Sequence, residues 1–362
     1  MAEAEPRSGA GDHEAWDDFV RTNRYGTFMQ TSAWAETKAA NGWWPVRIRA
    51  DSIGAQILLK RRPPLPWAYA YAPRGPVSER WDKPTIDAFS AAVREHLPEL
   101  AQGRVSHLRI DPEVEAGGPD DQDGAIQAAL RDAGWRHAPS VQAPATRILE
   151  LGGDEAALWS GLRKKWRQYV SKAKAAGIEV VDAGAEALPE FYEIYRDTAR
   201  RAGFVIRAAS AYDEVWSAFS PSGDARLLFA TAPGGEKLAT LFLLRCGDRV
   251  IEPFGGMTPE GAEARANYLL KWEAIRSSNA AGARVYDMWG LPNRGIAYFK
   301  EGFGGREVRY IGAWDLVLDP AGWFLYAPVR RAVGRLRRLV ASRPSGGGEA
   351  GMGEGPGGGS EA

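Results

Sequence analysis

The stretch WWPVRIRADSIGAQILLK, residues 43–60, decides the fold class of this chain. Apolar side chains alternate with polar or small ones along both halves, which predicts an antiparallel hairpin. A second hairpin is predicted for ARLLFATAPGGEKLATLFLLR, residues 225–245, around the turn PGGE. Each hairpin belongs to an order of hairpin, strand, helix, strand, helix and strand, and this order occurs twice. The sequence therefore predicts an α/β (α+β) protein of two units with mixed, mainly antiparallel sheets.

The length of 362 residues suits two domains of ordinary size. The apolar periodicity places the first domain at residues 13–152 and the second at residues 153–320. We expect the strand TRILEL, residues 146–151, to complete the first domain. The strand VRYIGAWDLVL, residues 308–318, is expected to complete the second.

The two ends of the chain differ in composition from the rest. Residues 1–12 and 344–362 are small, polar and rich in glycine, so both are expected to be disordered tails. Residues 321–343 form a basic amphipathic helix with an apolar line on one side and arginines on the other. Two interpretations remain open for it: an interfacial helix attracted to anionic lipid headgroups, or a helix docked on the second domain.

Composition excludes several classes of protein. Forty-six basic residues meet forty-six acidic ones, so a globally basic nucleic-acid binder is excluded, although local basic stripes are not. The single cysteine, Cys246, lies in a strand-like segment and is expected to be buried and inert. Neither a signal peptide nor a membrane-spanning apolar run is recognisable, which predicts a cytoplasmic protein. The amphipathic helix adds the expectation of peripheral contact with the inner face of the plasma membrane.

One predicted helix, residues 154–176, carries an unusual stripe of charge. Its apolar residues recur every three or four positions and define a buried face: Leu158, Leu162, Trp166, Val170 and Ala173. The segment RKKWRQYVSKAK on its other faces is basic and contains no acid. Because like charges in adjacent turns destabilise a helix, a polyanion is the expected partner. The alternative is an ordinary solvated helix face.

Taken in order, nine segments resemble the FemABX aminoacyltransferases of peptidoglycan cross-bridge synthesis. They are TFMQTSAWAETKAANGWW, YAPRGPV, LRIDPE, LWSGLRKKWRQYVSKAKAAGIEV, RDTARRAGFVIRAASAY, EPFGGMT, RANYLLKWEAI, YDMWG and IAYFKEGFGG. The resemblance implies two tandem acetyltransferase-like (GNAT-like) domains. Some members carry a long helical arm in the second domain, for which this chain has no room.

The resemblance also implies an activity. Members of the family transfer an amino acid, usually glycine, serine or alanine, from aminoacyl-tRNA to the stem peptide of a peptidoglycan precursor. The acceptor is either UDP-MurNAc-pentapeptide or its lipid-linked form, lipid II, and the sequence leaves both open. The donor ester is already activated, so no cofactor and no metal are expected. We expect a monomer that binds tRNA through Lys164, Lys165, Arg167 and Lys172.

Residue roles follow where the motifs align. Lys38 and Arg207 resemble the basic pair that grips the acceptor's diphosphate, where charge-assisted hydrogen bonds neutralise dense negative charge. Tyr212 falls close to a family tyrosine beside that pair. Phe254 stands where the family can have a tyrosine, so a hydroxyl role is lost there. Asp111 matches an acid that is a candidate general base, with water and the substrates themselves as alternatives.

Lys300 in YFKEGFGG resembles the family lysine placed at the transferred carbonyl. A fixed ammonium there would stabilise the oxyanion of the tetrahedral intermediate, and Phe299 and Phe303 would keep the site dry. We expect Lys300 to be exposed, so its replacement should not affect folding.

Two other functions are compatible with such a fold. An acyl-CoA-dependent N-acyltransferase would need a pyrophosphate-binding loop, and EPFGGMTPEGAEARANYLL, in the corresponding place, lacks that pattern. A non-catalytic tRNA-binding or membrane-recruited adaptor would explain the basic stripes. It would not explain the set formed by Lys38, Arg207 and Lys300.

Overall fold

The computed structural model describes residues 2–5, 10–61 and 63–326. Its strands, numbered in chain order, are β1 (Ala2–Glu5), β2 (Trp44–Ala50), β3 (Ile53–Arg61), β4 (Ala68–Ala72), β5 (Val77–Ser78), β6 (Val105–Ile110), β7 (Trp135–Ala138), β8 (Ala145–Glu150), β9 (Glu179–Ala183), β10 (Ala225–Thr231), β11 (Lys237–Cys246), β12 (Arg249–Met257), β13 (Val285–Asp287), β14 (Arg306–Arg309) and β15 (Ala313–Val317).

The α-helices alternate with these strands and lie on the faces of the sheets. They are α1 (Ala10–Thr22), α2 (Ser32–Ala39), α3 (Lys83–Leu100), α4 (Ala125–Asp132), α5 (Glu155–Gly161), α6 (Lys164–Ala175), α7 (Leu188–Ala202), α8 (Ser210–Phe219), α9 (Pro259–Glu263), α10 (Ala266–Ala280) and α11 (Arg294–Glu301). Side chains cap several of them: Asp82 accepts from the Thr85 N–H at the start of α3, and Asn293 accepts from the Ile296 N–H at the start of α11.

The strands form two sheets. The first has the spatial order β1-β2-β3-β4-β6-β15-β7, with β5 paired to β3, and the second has the order β14-β8-β13-β12-β11-β10-β9. Among the described strands, only β4 with β6 and β12 with β13 pair in parallel. Both predicted hairpins are present, as β2–β3 and β10–β11. The predicted fold class, with mixed and mainly antiparallel sheets, is confirmed.

Three apolar clusters hold the sheets and helices together. The first packs α3 and α4 on the first sheet, and the third packs α6 and α10 on the second sheet. The remaining cluster joins side chains from α1 and α2 to those of α7, α8 and the second sheet. Phe28, Trp34, Phe191 and Phe242 belong to it. The N-terminal helices therefore pack against the second half of the chain.

Two strands lie in the opposite sheet from the one expected. β8, expected to complete the first domain, pairs with β13 and β14 in the second sheet. The segment predicted as one strand over residues 308–318 is two strands, of which β15 inserts between β6 and β7 in the first sheet. Alternation identifies a strand but does not name its partner, which is set by packing distant in sequence. Because the chain crosses twice, the two sheets share its segments.

The predicted helix over residues 154–176 is also corrected. It is two helices, α5 and α6, separated at Leu162 and Arg163, whose backbones are extended. The Arg163 N–H donates to the Gly302 carbonyl at 2.9 Å instead of continuing the helix. Leu162, Trp166 and Val170 are buried as expected. The apolar residues keep their helical spacing across the break because α5 and α6 pack against the same core.

Within the expected N-terminal tail, residues 1–12, the structure has the strand β1 paired with β2, and α1 begins at Ala10. At the other end, residues 320–326 are helical, and Tyr326 is buried with its hydroxyl donating to the Trp67 carbonyl at 3.1 Å. The rest of the predicted basic helix and the tail 344–362 lie outside the described residues. No helix among the described residues is long and apolar enough to cross a membrane.

Candidate active site

The predicted acceptor-binding pair meets at one aromatic ring. Lys38 near the end of α2 places its ammonium 3.5 Å from the centre of the Trp34 ring, and Arg207 places its guanidinium carbon 5.7 Å from the same ring. Helix α2 packs against α8, which follows the loop that carries Arg207. Two residues far apart in sequence thus present positive charge at the same place, as a diphosphate would require.

Lys38 is buried, with only 9% of its surface exposed, and its ammonium donates to the Thr37 hydroxyl at 2.8 Å. Burial lowers the pKa of Lys38 to about 7, the neighbouring positive charge of Arg207 lowers it as well, and Glu214 opposes this. Arg207 itself is exposed. A dianion bound between them would favour the charged ammonium, so such a ligand would be taken up with a proton at neutral pH.

Tyr212 and Phe254 lie beside this pair. The Tyr212 hydroxyl accepts a hydrogen bond from the Arg207 N–H at 3.3 Å, and its ring meets the Phe254 ring edge-on at 5.1 Å. Tyr212 is buried and Phe254 is half-buried. Tyr212 therefore orients the loop that carries Arg207, and Phe254 supports Tyr212 through contact alone.

Lys300 lies on α11 and is held more tightly than the sequence predicts. Its ammonium donates to three backbone carbonyls, those of Met288 at 2.6 Å, Trp289 at 3.0 Å and Gly290 at 2.8 Å. An ammonium has three N–H donors, and each is used. The expectation of an exposed side chain is wrong, because Lys300 is partly buried and serves as the donor for a whole turn of backbone.

The turn that Lys300 binds has an unusual backbone. Trp289 has φ of +59°, a left-handed conformation that is uncommon for a bulky side chain. Its N–H donates to the Asp287 carboxylate at 2.7 Å, and its carbonyl accepts from Lys300. The strained residue is thus held from both sides by buried charge.

Both charged and aromatic side chains lie near Lys300. Burial lowers the pKa of Lys300 to about 8; the nearby ammonium of Lys271 lowers it further, and Glu252 opposes this. Lys271 is itself buried, pairs with Glu252 and lies 5.5 Å from the Phe299 ring centre. Phe299 contacts Phe303 at 5.3 Å between ring centres. Phe299 and Phe303 thus pack on each other near Lys271, and their role in keeping the Lys300 site dry remains a prediction.

An aromatic ridge connects the Lys38–Arg207 pair with Lys300. The Phe28 ring meets the Trp34 ring at 5.2 Å and the Trp289 ring at 6.0 Å, measured between ring centres. The Trp34 ring contacts Lys38 and Arg207, and the backbone carbonyl of Trp289 accepts a hydrogen bond from Lys300. Phe28 and Trp34 are buried and Trp289 is half-buried, so the two groups of predicted site residues are linked through packed rings of the apolar core.

Asp111, at the end of β6, is buried and fully hydrogen-bonded. One of its oxygens accepts from the Arg74 N–H at 2.7 Å, and the other accepts from the Tyr71 hydroxyl at 2.8 Å and the Gln142 N–H at 3.3 Å. Burial raises the pKa of Asp111 to about 6, and Arg74 opposes the rise. The Arg74 guanidinium lies 5.1 Å from the Trp289 ring centre. Asp111 thus connects to the ridge through Arg74, and its carboxylate is buried with 3% of the residue exposed.

A buried ion network at the junction of the two sheets was missed by the sequence analysis. Arg249, at the start of β12, pairs with Glu113, which follows β6, and with Asp287, at the end of β13. Arg74 lies 3.4 Å from Glu113 and extends the network. Every member is buried. The segments LRIDPE and YDMWG contribute to the family resemblance, but only the fold reveals that Glu113 and Asp287 within them pair with the same arginine.

The basic residues of α6 divide into two kinds. Lys164, Lys165 and Lys172 are exposed. Arg167 is half-buried and donates to the Ser160 carbonyl at 2.8 Å and the Leu162 carbonyl at 2.9 Å, so it caps the end of α5. Three of the four predicted tRNA contacts are therefore exposed, while Arg167 makes hydrogen bonds within the protein.

Cys246 is buried, as expected, and burial raises its pKa to about 12.

Comparison of sequences gives related proteins. Lipid II:glycine glycyltransferase of Staphylococcus aureus (strain MRSA252) is 28% identical over 233 residues, which are 62% of this chain and 54% of that protein. The protein of the same name from Staphylococcus saprophyticus is 29% identical over 227 residues, 59% of this chain and 53% of that protein. The chain spans about half the length of these relatives.

Comparison of structures gives the same fold. The crystal structure of FemX superposes with a TM-score of 0.77 at 20% identity, covering 91% of this chain and 99% of that one. A tandem GNAT protein from the clavulanic acid biosynthesis pathway superposes with a TM-score of 0.54 at 13% identity, covering 88% and 99%. The FemAB family matches residues 12–243 and 232–330, most of the length of the chain. This chain belongs to the FemAB family.

Proposed function

We propose that this protein transfers a small amino acid from aminoacyl-tRNA to the stem peptide of a peptidoglycan precursor. The single observation that carries the proposal is the aromatic ridge, which connects a paired cationic site at Lys38 and Arg207 to a lysine on a constrained turn at Lys300. Such an arrangement suits an acceptor held by its diphosphate while its amine reacts some distance away.

The chemistry needs alignment and charge stabilisation. The acceptor amine attacks the ester carbonyl, the carbonyl oxygen becomes an oxyanion, and collapse forms the amide bond and releases the tRNA 3′-terminal oxygen. The amine gives up a proton, and the leaving oxygen takes one. The ammonium of Lys300 gives up its hydrogen bond to one of the three backbone carbonyls and donates to the oxyanion instead, which stabilises it. This exchange favours the transition state, since a ground-state carbonyl competes poorly with the backbone.

Asp111 serves as a positioning residue in this proposal. All of its hydrogen bonds go to Tyr71, Arg74 and Gln142, and Arg74 packs on Trp289. It fixes the turn that Lys300 binds, and the attacking amine loses its proton to water or to the substrates.

The proposed acceptor is lipid II, the molecule in the names of both relatives. The loop that carries Arg207 also exposes Phe204 and Val205, with 40% and 73% of their surfaces accessible. Apolar side chains beside a phosphate-binding arginine suit contact with a membrane surface. The protein would thus take its acceptor from the membrane surface.

Transfer of label tests the proposal. Purified protein is mixed with radiolabelled glycyl-, seryl- or alanyl-tRNA and with lipid II or UDP-MurNAc-pentapeptide. We expect one charged tRNA to be consumed only when an acceptor is present, with label in the stem peptide. Failure of every pair, or transfer from an acyl-CoA instead, would refute the proposal. Binding of tRNA without consumption would favour an adaptor.

A further inference from the structure

Helix α11, which carries Lys300, presents aromatic and aliphatic side chains that the protein does not bury. None of its eight residues is buried, although they include Ile296, Tyr298 and Phe299. Tyr298 has 55% of its surface exposed. Ile296 and Phe299 are half-buried, and Phe299 packs against the apolar core, so Tyr298 is the exposed side chain of the three. The arrangement indicates a surface that a substrate covers.

The Tyr298 ring is held in place by a cation and by another ring. The guanidinium carbon of Arg163 lies 4.4 Å from its centre, and the Trp166 ring meets it edge-on at 5.4 Å. Arg163 is anchored in turn by an ion pair with Glu301 at 2.7 Å. The ring is therefore oriented before any ligand arrives, and more than half of its surface remains accessible.

Tyr298 lies where helices α6 and α11 meet. Helices α6 and α11 are joined by the hydrogen bond from the Trp166 indole to the Phe299 carbonyl at 3.0 Å. A side chain at Gly302 would bring its first carbon within 2.3 Å of the Trp166 ring, so the contact is tight. The exposed Lys164 and Lys165 begin α6 directly after Arg163, whereas Lys300, two residues after Tyr298 on α11, points to another side of that helix and binds backbone carbonyls there.

An exposed aromatic ring, a stacked guanidinium and nearby ammonium groups match one ligand chemistry. Unpaired nucleotides bind by stacking their bases on aromatic side chains while lysines and arginines neutralise the phosphates. We propose that Tyr298 and Arg163 form a stacking site for an unpaired nucleobase at the 3′ end of the donor tRNA. The inference rests on the proposed function for its choice of RNA. It adds a base-binding site at the junction of α6 and α11.

A fluorescent base tests the site without any chemistry. An uncharged RNA hairpin with an unpaired 3′ overhang carries 2-aminopurine near its end, and stacking on Tyr298 quenches the fluorescence. We expect quenching with the wild type and with Tyr298→Phe, which keeps the ring. Tyr298→Ala should lose the quenching and raise Kd roughly five- to a hundredfold, the range for one lost base–aromatic stack. The matched control is Phe324→Ala, which removes another aromatic side chain with 70% exposure and should change neither quantity.

The outcomes separate this inference from the proposed function. If Tyr298→Ala quenches and binds like the wild type, or the wild type does not quench, the stacking site is refuted, whatever the transfer assay gives. If quenching depends on Tyr298 but the wild type transfers no amino acid to any acceptor, the base-binding site stands and the transferase proposal falls. Because Tyr298 is exposed, the alanine variant should fold, and its circular dichroism spectrum verifies this.

Discussion

Replacing Lys300 by methionine tests catalysis and structure together. The ammonium makes three hydrogen bonds to backbone carbonyls, and each carbonyl left unpaired costs about 1–3 kcal/mol. Water reaching a partly buried site and the removal of a buried charge offset part of this sum. We therefore expect the free energy of unfolding to fall by about 2–4 kcal/mol. The left-handed backbone at Trp289 loses one of its two supports and should relax.

The effect on turnover should be larger than the effect on binding. Losing one oxyanion donor lowers turnover by about a hundredfold or more, whereas neither bound substrate depends on the ammonium. Lys300→Arg keeps the charge but not the geometry of three bonds at one nitrogen, so it should restore turnover only in part. Denaturant unfolding and steady-state kinetics are measured on both variants, with the exposed Lys83→Met as a control. Normal turnover by Lys300→Met would refute the catalytic role, and an unchanged unfolding midpoint would refute the structural one.

Lys300 also predicts a pH profile. Its pKa is about 8, and only the ammonium form stabilises an oxyanion, so turnover should fall as pH rises through about 8. For the acceptor site, Lys38→Met or Arg207→Met should raise KM for the acceptor at least tenfold and leave that for the donor unchanged; equal effects on both would contradict the assignment. The pKa of Lys38 is about 7, so acceptor affinity should weaken above that pH in the wild type but not in Lys38→Met. Lys164→Glu with Lys165→Glu should weaken tRNA binding and flatten its dependence on salt concentration, and an unchanged slope would leave α6 as a solvated face. Truncation after Tyr326 should abolish binding to anionic vesicles if the basic segment contacts lipid, while folding and turnover of UDP-MurNAc-pentapeptide persist.

The last of these experiments shows what the sequence alone could not supply. From the sequence, a cut after Asp319 would have separated the basic helix from the second domain. In the structure that cut removes Trp323, whose indole donates to Asp315, and Tyr326, which packs on Tyr69 in the first sheet. The first contact joins residues eight apart, the second joins residues more than 250 apart, and neither has a periodic signature. The cut must therefore follow Tyr326.

Periodicity predicted both hairpins and most of the other strands, though not β1 or β7. It did not predict that β8 and β15 change sheets, because alternation is the same whichever partner a strand has. The functional roles of Lys38 and Lys300 remain predictions from their surrounding motifs, and those motifs did not predict the environments of the two side chains. Lys38 is buried beside Trp34, and Lys300 binds three backbone carbonyls. Both environments are formed by residues that only the fold brings together.

The exchange of strands also brings charged residues from both sheets together beside the turn that Lys300 binds. The seam between the sheets is fixed by Arg249, which binds Glu113 from one sheet and Asp287 from the other. Asp287 then holds the N–H of Trp289, and Lys300 holds its carbonyl. Replacing a buried charge network by apolar groups can leave stability unchanged, so stability alone does not account for it. The network also positions the turn at Trp289 relative to both sheets, because Asp287 binds both Arg249 and the Trp289 N–H. In the proposed mechanism this would fix the Lys38–Arg207 pair and Lys300 relative to each other, as catalysis by alignment requires.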